Sequence, residues 1–321
     1  MINFKSIICF FALFYGSFAA YAQYKTEEVS ITFIANTRWG SMGEANMGSS
    51  VEHKVIIKKP ISDDPNQKFP LIVHVNNSGG SNDHTMAYSA DFFPKIGVAV
   101  ALLDLYKGRN LKSAISNQKV IFTGTTAEET MQFLNVARKL SYVKENSIGV
   151  MGHSRGSQIA THFTPFKSFL KFTNASDVFD FHIGLGNGCQ QIYEDLETTG
   201  KPILRFQAER DTQWFNAKCD EYISNVKARN PNVEYVIVPN AYHNLGVFAK
   251  YDPGIYTARR CKNFLLINQD GNYKYEGRIR ARNDMFEQCK EMGSYADSGP
   301  YEMMGFAYEK IIQWLKMIKI I

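Results

Sequence analysis

From Pro70 onward the chain alternates short apolar runs with longer segments whose apolar residues recur every three or four positions. The runs "PLIVHVNN", "GVAVALLDL", "NSIGVMG", "FDFHIGLG", "KPILRFQA" and "EYVIVPN" have no polar face. Strands that are apolar on both sides belong to a mostly parallel sheet covered by helices on both faces. The separators supply those helices. "TTAEETMQFLNVARKL" places Met131, Leu134 and Ala137 on one side and offers a capping box, Thr126 with Glu129. "YEKIIQWLKMIKI" closes the chain with Ile311, Trp314, Leu315 and Ile318 on one face.

Two β-rich stretches precede this rhythm, "EVSITFIAN" and "VEHKVIIKKP", joined by the Gly- and Ser-containing loop "RWGSMGEANMGSS". The segment from Tyr251 to about Gly305 breaks it with aromatics, two cysteines and the turn "NQDGNY". It reads as an insertion before the last helix, a lid or disulfide-braced rim, and not as a second domain. Without repeats or a long linker, one domain over 23–321 is expected, and 321 residues with 45% hydrophobic content can bury its core.

The first 22 residues read as an export signal. Lys5 is the positive end, Ile7–Phe18 the apolar stretch, and Ala20-Tyr21-Ala22 the cleavage site, so the mature chain starts at Gln23. The apolar stretch is short for a bilayer span and is interrupted by Gly16 and Ser17, and no later segment is long enough to span one. A periplasmic or secreted protein is expected. Cleavage removes one of five cysteines and leaves Cys189, Cys219, Cys261 and Cys289. An oxidising compartment favours disulfides, with neighbour pairing, Cys189 with Cys219 and Cys261 with Cys289, as the expectation. Their spacing is not that of a zinc site. Loss of Lys5 lowers the net charge from +5 to +4, and the basic cluster "GRIRAR" reads as a solvated face. No nucleic-acid motif is present.

Candidate chemistry centres on "GVMGHSRGSQIA". A serine framed by glycines two positions before and two after, between a strand and a helix, can stand clear of the sheet as a nucleophile. Ser154 needs a base and an acid that follow it in the order acid, then histidine. Of the histidines beyond the next helix, His182 lies inside an apolar run, whereas His243 follows a strand in "VPNAYHNLGVF". His243 is therefore the base. Asp211, just past the strand in "ILRFQAERDTQW", is the acid, with Glu209 the near alternative. The oxyanion donors are the backbone N–H groups of Arg155 and, from the loop "HVNNSGGSN", of Ser78 or Asn77. Trp214 and Tyr242 are candidates for substrate contact.

"GHSRGS", "LLDLYKGRN", "FQAERDTQW" and "PNAYHNLGVF" together resemble the α/β-hydrolase superfamily, in its dienelactone-hydrolase-like branch. The resemblance covers about Pro70 to Phe248 and the closing helix. It implies an eight-stranded, mostly parallel sheet flanked by helices and a Ser154, Asp211, His243 triad. It also implies hydrolysis of an ester or related acyl bond without metal or cofactor. Serine replaces the cysteine of the named dienelactone hydrolases, which moves the chain towards the esterases. Asn76-Asn77 replaces the usual His-Gly pair of the oxyanion loop. The expected activity is that of an exported serine carboxylesterase acting on a small-molecule or carbohydrate ester. A prolyl-oligopeptidase-like peptidase or amidase and a non-catalytic binding protein on the same fold are the alternatives.

Overall fold

The computed structural model describes residues 25–36, 50–118, 120–173, 175–186, 188–189, 191–213, 216–257, 260, 263–268, 271–279, 291–297 and 299–321. Residues 1–24, which include the expected export signal, residues 37–49, Trp214, Cys261 and Cys289 lie outside the described residues.

Strands β1 (Thr26–Asn36) and β2 (Ser50–Pro60) form an antiparallel pair at the start of the chain. Each apolar run then supplies a strand: β3 (Phe69–Val75), β4 (Ala99–Leu103), β5 (Val143–His153), β6 (Phe181–Leu185), and, after the short β7 (Gln191–Tyr193), β8 (Ile203–Ala208) and β9 (Val233–Val238). All but β7 join one eight-stranded sheet in the order β1-β2-β4-β3-β5-β6-β8-β9. The β2–β4 pairing is antiparallel and every pairing from β4 to β9 is parallel.

Most of the crossovers carry a helix, the usual connection between parallel strands. These are α1 (His84–Phe92), α2 (Thr123–Ala137), α3 (Arg155–Gln158) continued by a π turn over Ile159–Phe163, α4 (Lys167–Thr173) and α5 (Asn216–Lys227), and α6 (Met304–Met317) follows the last strand. Side chains alternate across β3. Phe69, Leu71, Val73 and Val75 pack with Phe133 and Leu134 of α2, while Ile72 faces Ile311 and Trp314 of α6. Burying both faces stabilises by roughly 1.5–3 kcal/mol per large apolar side chain, and this explains the missing polar face. His74 shares the α6 side, where Ser89 Oγ at 2.6 Å and Thr85 Oγ1 at 3.2 Å satisfy its ring. Burial pushes its pKa down to about 4, so it sits there neutral.

One local expectation is corrected. Helix α2 begins at Thr123, so Thr126 and Glu129 do not form a capping box. Phe122 is buried in the core and takes the cap position, which brings the first turn forward. The Thr126 hydroxyl donates back to the Thr123 carbonyl at 2.8 Å, and buried Glu129 pairs with Arg109 and lies 3.3 Å from His53.

The segment after β9 contributes β10 (Lys250–Thr257), β11 (Leu265–Ile267), β12 (Tyr273–Tyr275), β13 (Arg278–Ile279) and β14 (Glu291–Ala296). β10 pairs with β14, and β11 pairs with both β12 and β7. A small sheet is thus shared between the insertion and the segment after β6.

Cys189 and Cys219 are joined in a disulfide that ties this same segment to α5 across a sequence separation of 30 residues. A closed loop of that length restricts the unfolded chain by about 3–4 kcal/mol. Among the described residues no helix is long and apolar enough to cross a membrane.

Candidate active site

Ser154 stands between the end of β5 and the start of α3 with φ 53° and ψ −113°. A side chain in such a region costs on the order of 1–3 kcal/mol and persists only where its surroundings hold it. Here the Ser154 N–H donates to the carbonyls of Leu185 at 3.0 Å and Gly186 at 2.9 Å, at the end of neighbouring β6. The flanking glycines are a steric requirement of this turn. A Cβ on Gly156 would lie 2.3 Å from the Val75 carbonyl oxygen, and one on Gly152 would lie 2.4 Å from the carbonyl carbon of Gly156.

The loops after β8 and β9 meet this serine. His243 Nε2 lies 2.9 Å from Ser154 Oγ, and its Nδ1 lies 2.7 Å from Asp211 Oδ2. Asp211 is itself fixed, because its Oδ1 accepts from the Gln213 N–H at 2.9 Å. With a carboxylate on one side, Nδ1 carries the proton and Nε2 is left to accept from the serine hydroxyl. Burial works against charge on His243, but the Asp211 charge and hydrogen bond, with a contribution from Asp297, outweigh it and hold its pKa above the ordinary 6.5.

Glu209 turns elsewhere and accepts from the Asn240 N–H at 2.7 Å. His182 lies in β6, 3.0 Å from the Ala160 carbonyl, and burial lowers its pKa to about 3.

The loop after β3 faces the elbow. The N–H of Asn77 donates to Asp83 Oδ2 at 2.8 Å, so of the two candidate donors of that loop Asn77 is already paired. The N–H of Arg155 is the first of α3 and precedes any intrahelical acceptor. Neither the Ser78 nor the Arg155 N–H has an acceptor among the described residues. Their side chains converge on one carboxamide: Ser78 Oγ donates to Gln118 Oε1 at 3.1 Å, and the Arg155 guanidinium donates to the same oxygen. Arg155 also donates to the Ile121 carbonyl at 2.8 Å, so its charge points away from the serine into the loop before α2.

Sequence reasoning missed three supporting residues. His153 is buried beside the serine and donates from Nε2 to the His243 carbonyl at 2.8 Å, while its Nδ1 accepts from Asn77 Nδ2 at 3.1 Å. Burial, then neighbouring His243, push its pKa well below 6.5, so it links the loop after β9 to the loop after β3 as a neutral ring. Its position next to Ser154 was the available signal. Asp83 and Gln118 lie in loops with no periodic pattern, and nothing in the sequence pointed to them.

Of the two candidate contact residues, Tyr242 adjoins His243, and its ring centre lies 6.3 Å from that of Tyr295 in β14. Among the described residues no group of His, Cys, Asp or Glu is arranged to hold a metal ion.

The profile of the dienelactone hydrolase family matches residues 59–265, a range that contains Ser154, Asp211 and His243. The chain belongs to that family. As a dienelactone hydrolase family member it is a hydrolase, with serine at the elbow.

Three solved structures illustrate the likeness. Thermogutta terrifontis esterase 2 phosphoramylated by tabun matches at 12% identity over 84% of this chain and 91% of its own, with a TM-score of 0.52. The same organism's thermophilic esterase with butyrate bound matches at 14% identity, over 60% of this chain and 80% of its own, with a TM-score of 0.45. A dienelactone hydrolase-like promiscuous phosphotriesterase from metagenomic libraries matches at 12% identity, over 67% and 84%, with a TM-score of 0.43. No curated protein matches the sequence. The first of the three structures shares the fold of this dienelactone hydrolase family chain.

Proposed function

We propose that this chain is an exported serine hydrolase that cleaves carboxylic esters through an acyl-enzyme on Ser154. The observation that carries the reading is the unbroken relay from Asp211 through His243 to Ser154, at 2.7 and 2.9 Å, on a strained elbow.

Ser154 Oγ attacks the acyl carbon as its proton passes to His243 Nε2. The oxyanion is met by the N–H groups of Arg155 and Ser78, each such donor being worth about 2.7–4 kcal/mol in the transition state. The imidazolium then protonates the leaving alkoxide, and a water activated by the same imidazole releases the acid. Asp211 fixes the tautomer and faces the positive charge. Tyr242 and Trp214 are the proposed substrate contacts.

The test of this reading is hydrolysis of short-chain nitrophenyl esters, and its pH dependence carries the sign. Neutral His243 accepts the serine proton and the imidazolium does not. With its pKa held above 6.5, kcat/KM rises with pH through that value and levels off on the alkaline side. A rate already flat from pH 5 upward would remove His243 as the base.

Export rests on the Lys5, Ile7–Phe18 and Ala20-Tyr21-Ala22 pattern, and the Cys189–Cys219 disulfide accords with an oxidising compartment. The intact mass of the protein recovered from the periplasm or medium is expected to begin at Gln23 and to carry the disulfide. A mass that includes residues 1–22 would contradict cleavage.

A further inference from the structure

Directly after β14, Asp297 enters the site from the insertion, beyond the residues that the family profile matches. Its buried carboxylate accepts from the Asn244 N–H at 2.9 Å and from the Gly246 N–H at 2.5 Å, and its own carbonyl accepts from Asn244 Nδ2 at 2.9 Å. The contacts therefore hold the first and the third of the residues that follow His243. Two more bonds run along the same strip: Val247 N–H to Glu302 Oε2 at 3.0 Å, and Met303 N–H to the Leu245 carbonyl at 3.0 Å. On the other side, His84 Nε2 lies 3.3 Å from the Asn244 carbonyl, and its ring is stacked on Tyr301 at 3.8 Å. β14 also reaches the acid loop, since Ser294 Oγ lies 2.9 Å from Thr212 Oγ1.

A buried carboxylate is costly unless hydrogen-bonded or paired. Among the described residues no Lys or Arg forms an ion pair with Asp297, and backbone amides take that place. The ionisable groups around it are His84, Tyr301 and His243. Of these, His84 is pushed down to about 4, chiefly by burial, and a tyrosine adds no positive charge. The cation left to face Asp297 is the imidazolium that His243 becomes during the reaction.

We propose that Asp297 is a positioning residue for the base: it holds the Asn244–Gly246 backbone so that His243 faces Ser154, and places a second negative charge beside the imidazolium. The insertion is in this way part of the catalytic frame. The inference rests on the esterase reading for its consequence, but its first test needs no substrate.

The groups facing His243 are Asp211, Asp297, His84 and His153. Removing one of the two carboxylates favours the neutral ring, so Asp297→Asn is expected to lower the midpoint of the His243 imidazole NMR titration by about half a pH unit or more. Asp297→Glu keeps the charge and is expected to leave the midpoint raised, with circular dichroism confirming that both variants fold. The acid limb of kcat/KM should move with the NMR midpoint. A midpoint unchanged in Asp297→Asn, or lowered as much by Glu as by Asn, would overturn the proposal. If the midpoint shifts but the wild type turns over no ester, the Asp297 assignment stands and the esterase reading fails.

Discussion

Ser154→Ala and His243→Ala are each expected to lower kcat for a short-chain ester by about 10⁴- to 10⁶-fold, with little change in KM. The alanine at 154 leaves no atom to form the acyl-enzyme, and the alanine at 243 leaves the hydroxyl with no acceptor for its proton. Both residues act in the same step, so the double variant should be no slower than either single one. Residual turnover belongs to the backbone N–H groups of Arg155 and Ser78, which neither change removes. Steady-state kinetics on the three variants measures this, and fully additive losses would show that the two side chains do not work as a unit.

Asp211→Asn is expected to cost about 10⁴-fold in kcat while leaving the fold intact. The carboxylate accepts from His243 Nδ1 at 2.7 Å, which places the proton there and keeps Nε2 free to accept. An amide of the same shape can turn its NH₂ towards Nδ1, and the imidazole then carries its proton on Nε2, facing the serine with nothing to accept. The change should also lower the pKa of His243, because Asp211 is what outweighs the effect of burial there. Glu209→Gln is the matched control. Its carboxylate caps the Asn240 N–H at the surface and does not touch the imidazole, so activity should change by less than a few-fold. Equal losses in the two variants would reassign the acid.

The main sheet was legible because its inner parallel strands, β3 and β8 among them, are buried on both faces, and continuous apolar runs such as "PLIVHV" and "ILRFQA" announce that directly. The meeting of Ser154, Asp211 and His243 was legible for a related reason: each follows a strand, and backbone order limits which loops can meet at one end of a parallel sheet. The start of α2 was misread because the local Thr126 and Glu129 spacing fits a cap, while burial of Phe122 decides where the first turn begins. β7 is three residues long and carries no periodicity, so its pairing with β11 could be found only in three dimensions. His153, Asp83, Gln118 and Asp297 support the site through a few hydrogen bonds each, to loop backbone or to polar side chains distant in sequence. Contacts of that kind leave no spacing in the sequence. The insertion was recognised as a break in rhythm, but its grip on the residues after His243 depends on one aspartate among many acidic residues of the chain.

The central claim, that Ser154 is an activated nucleophile, is tested most directly by labelling the purified mature protein with a fluorophosphonate probe and mapping the adduct by peptide mass spectrometry. A single adduct on Ser154 is expected, formed within minutes in the wild type and absent in Ser154→Ala and His243→Ala. A folded, disulfide-intact wild type that stays unlabelled, or an adduct on another residue that persists in Ser154→Ala, would contradict it.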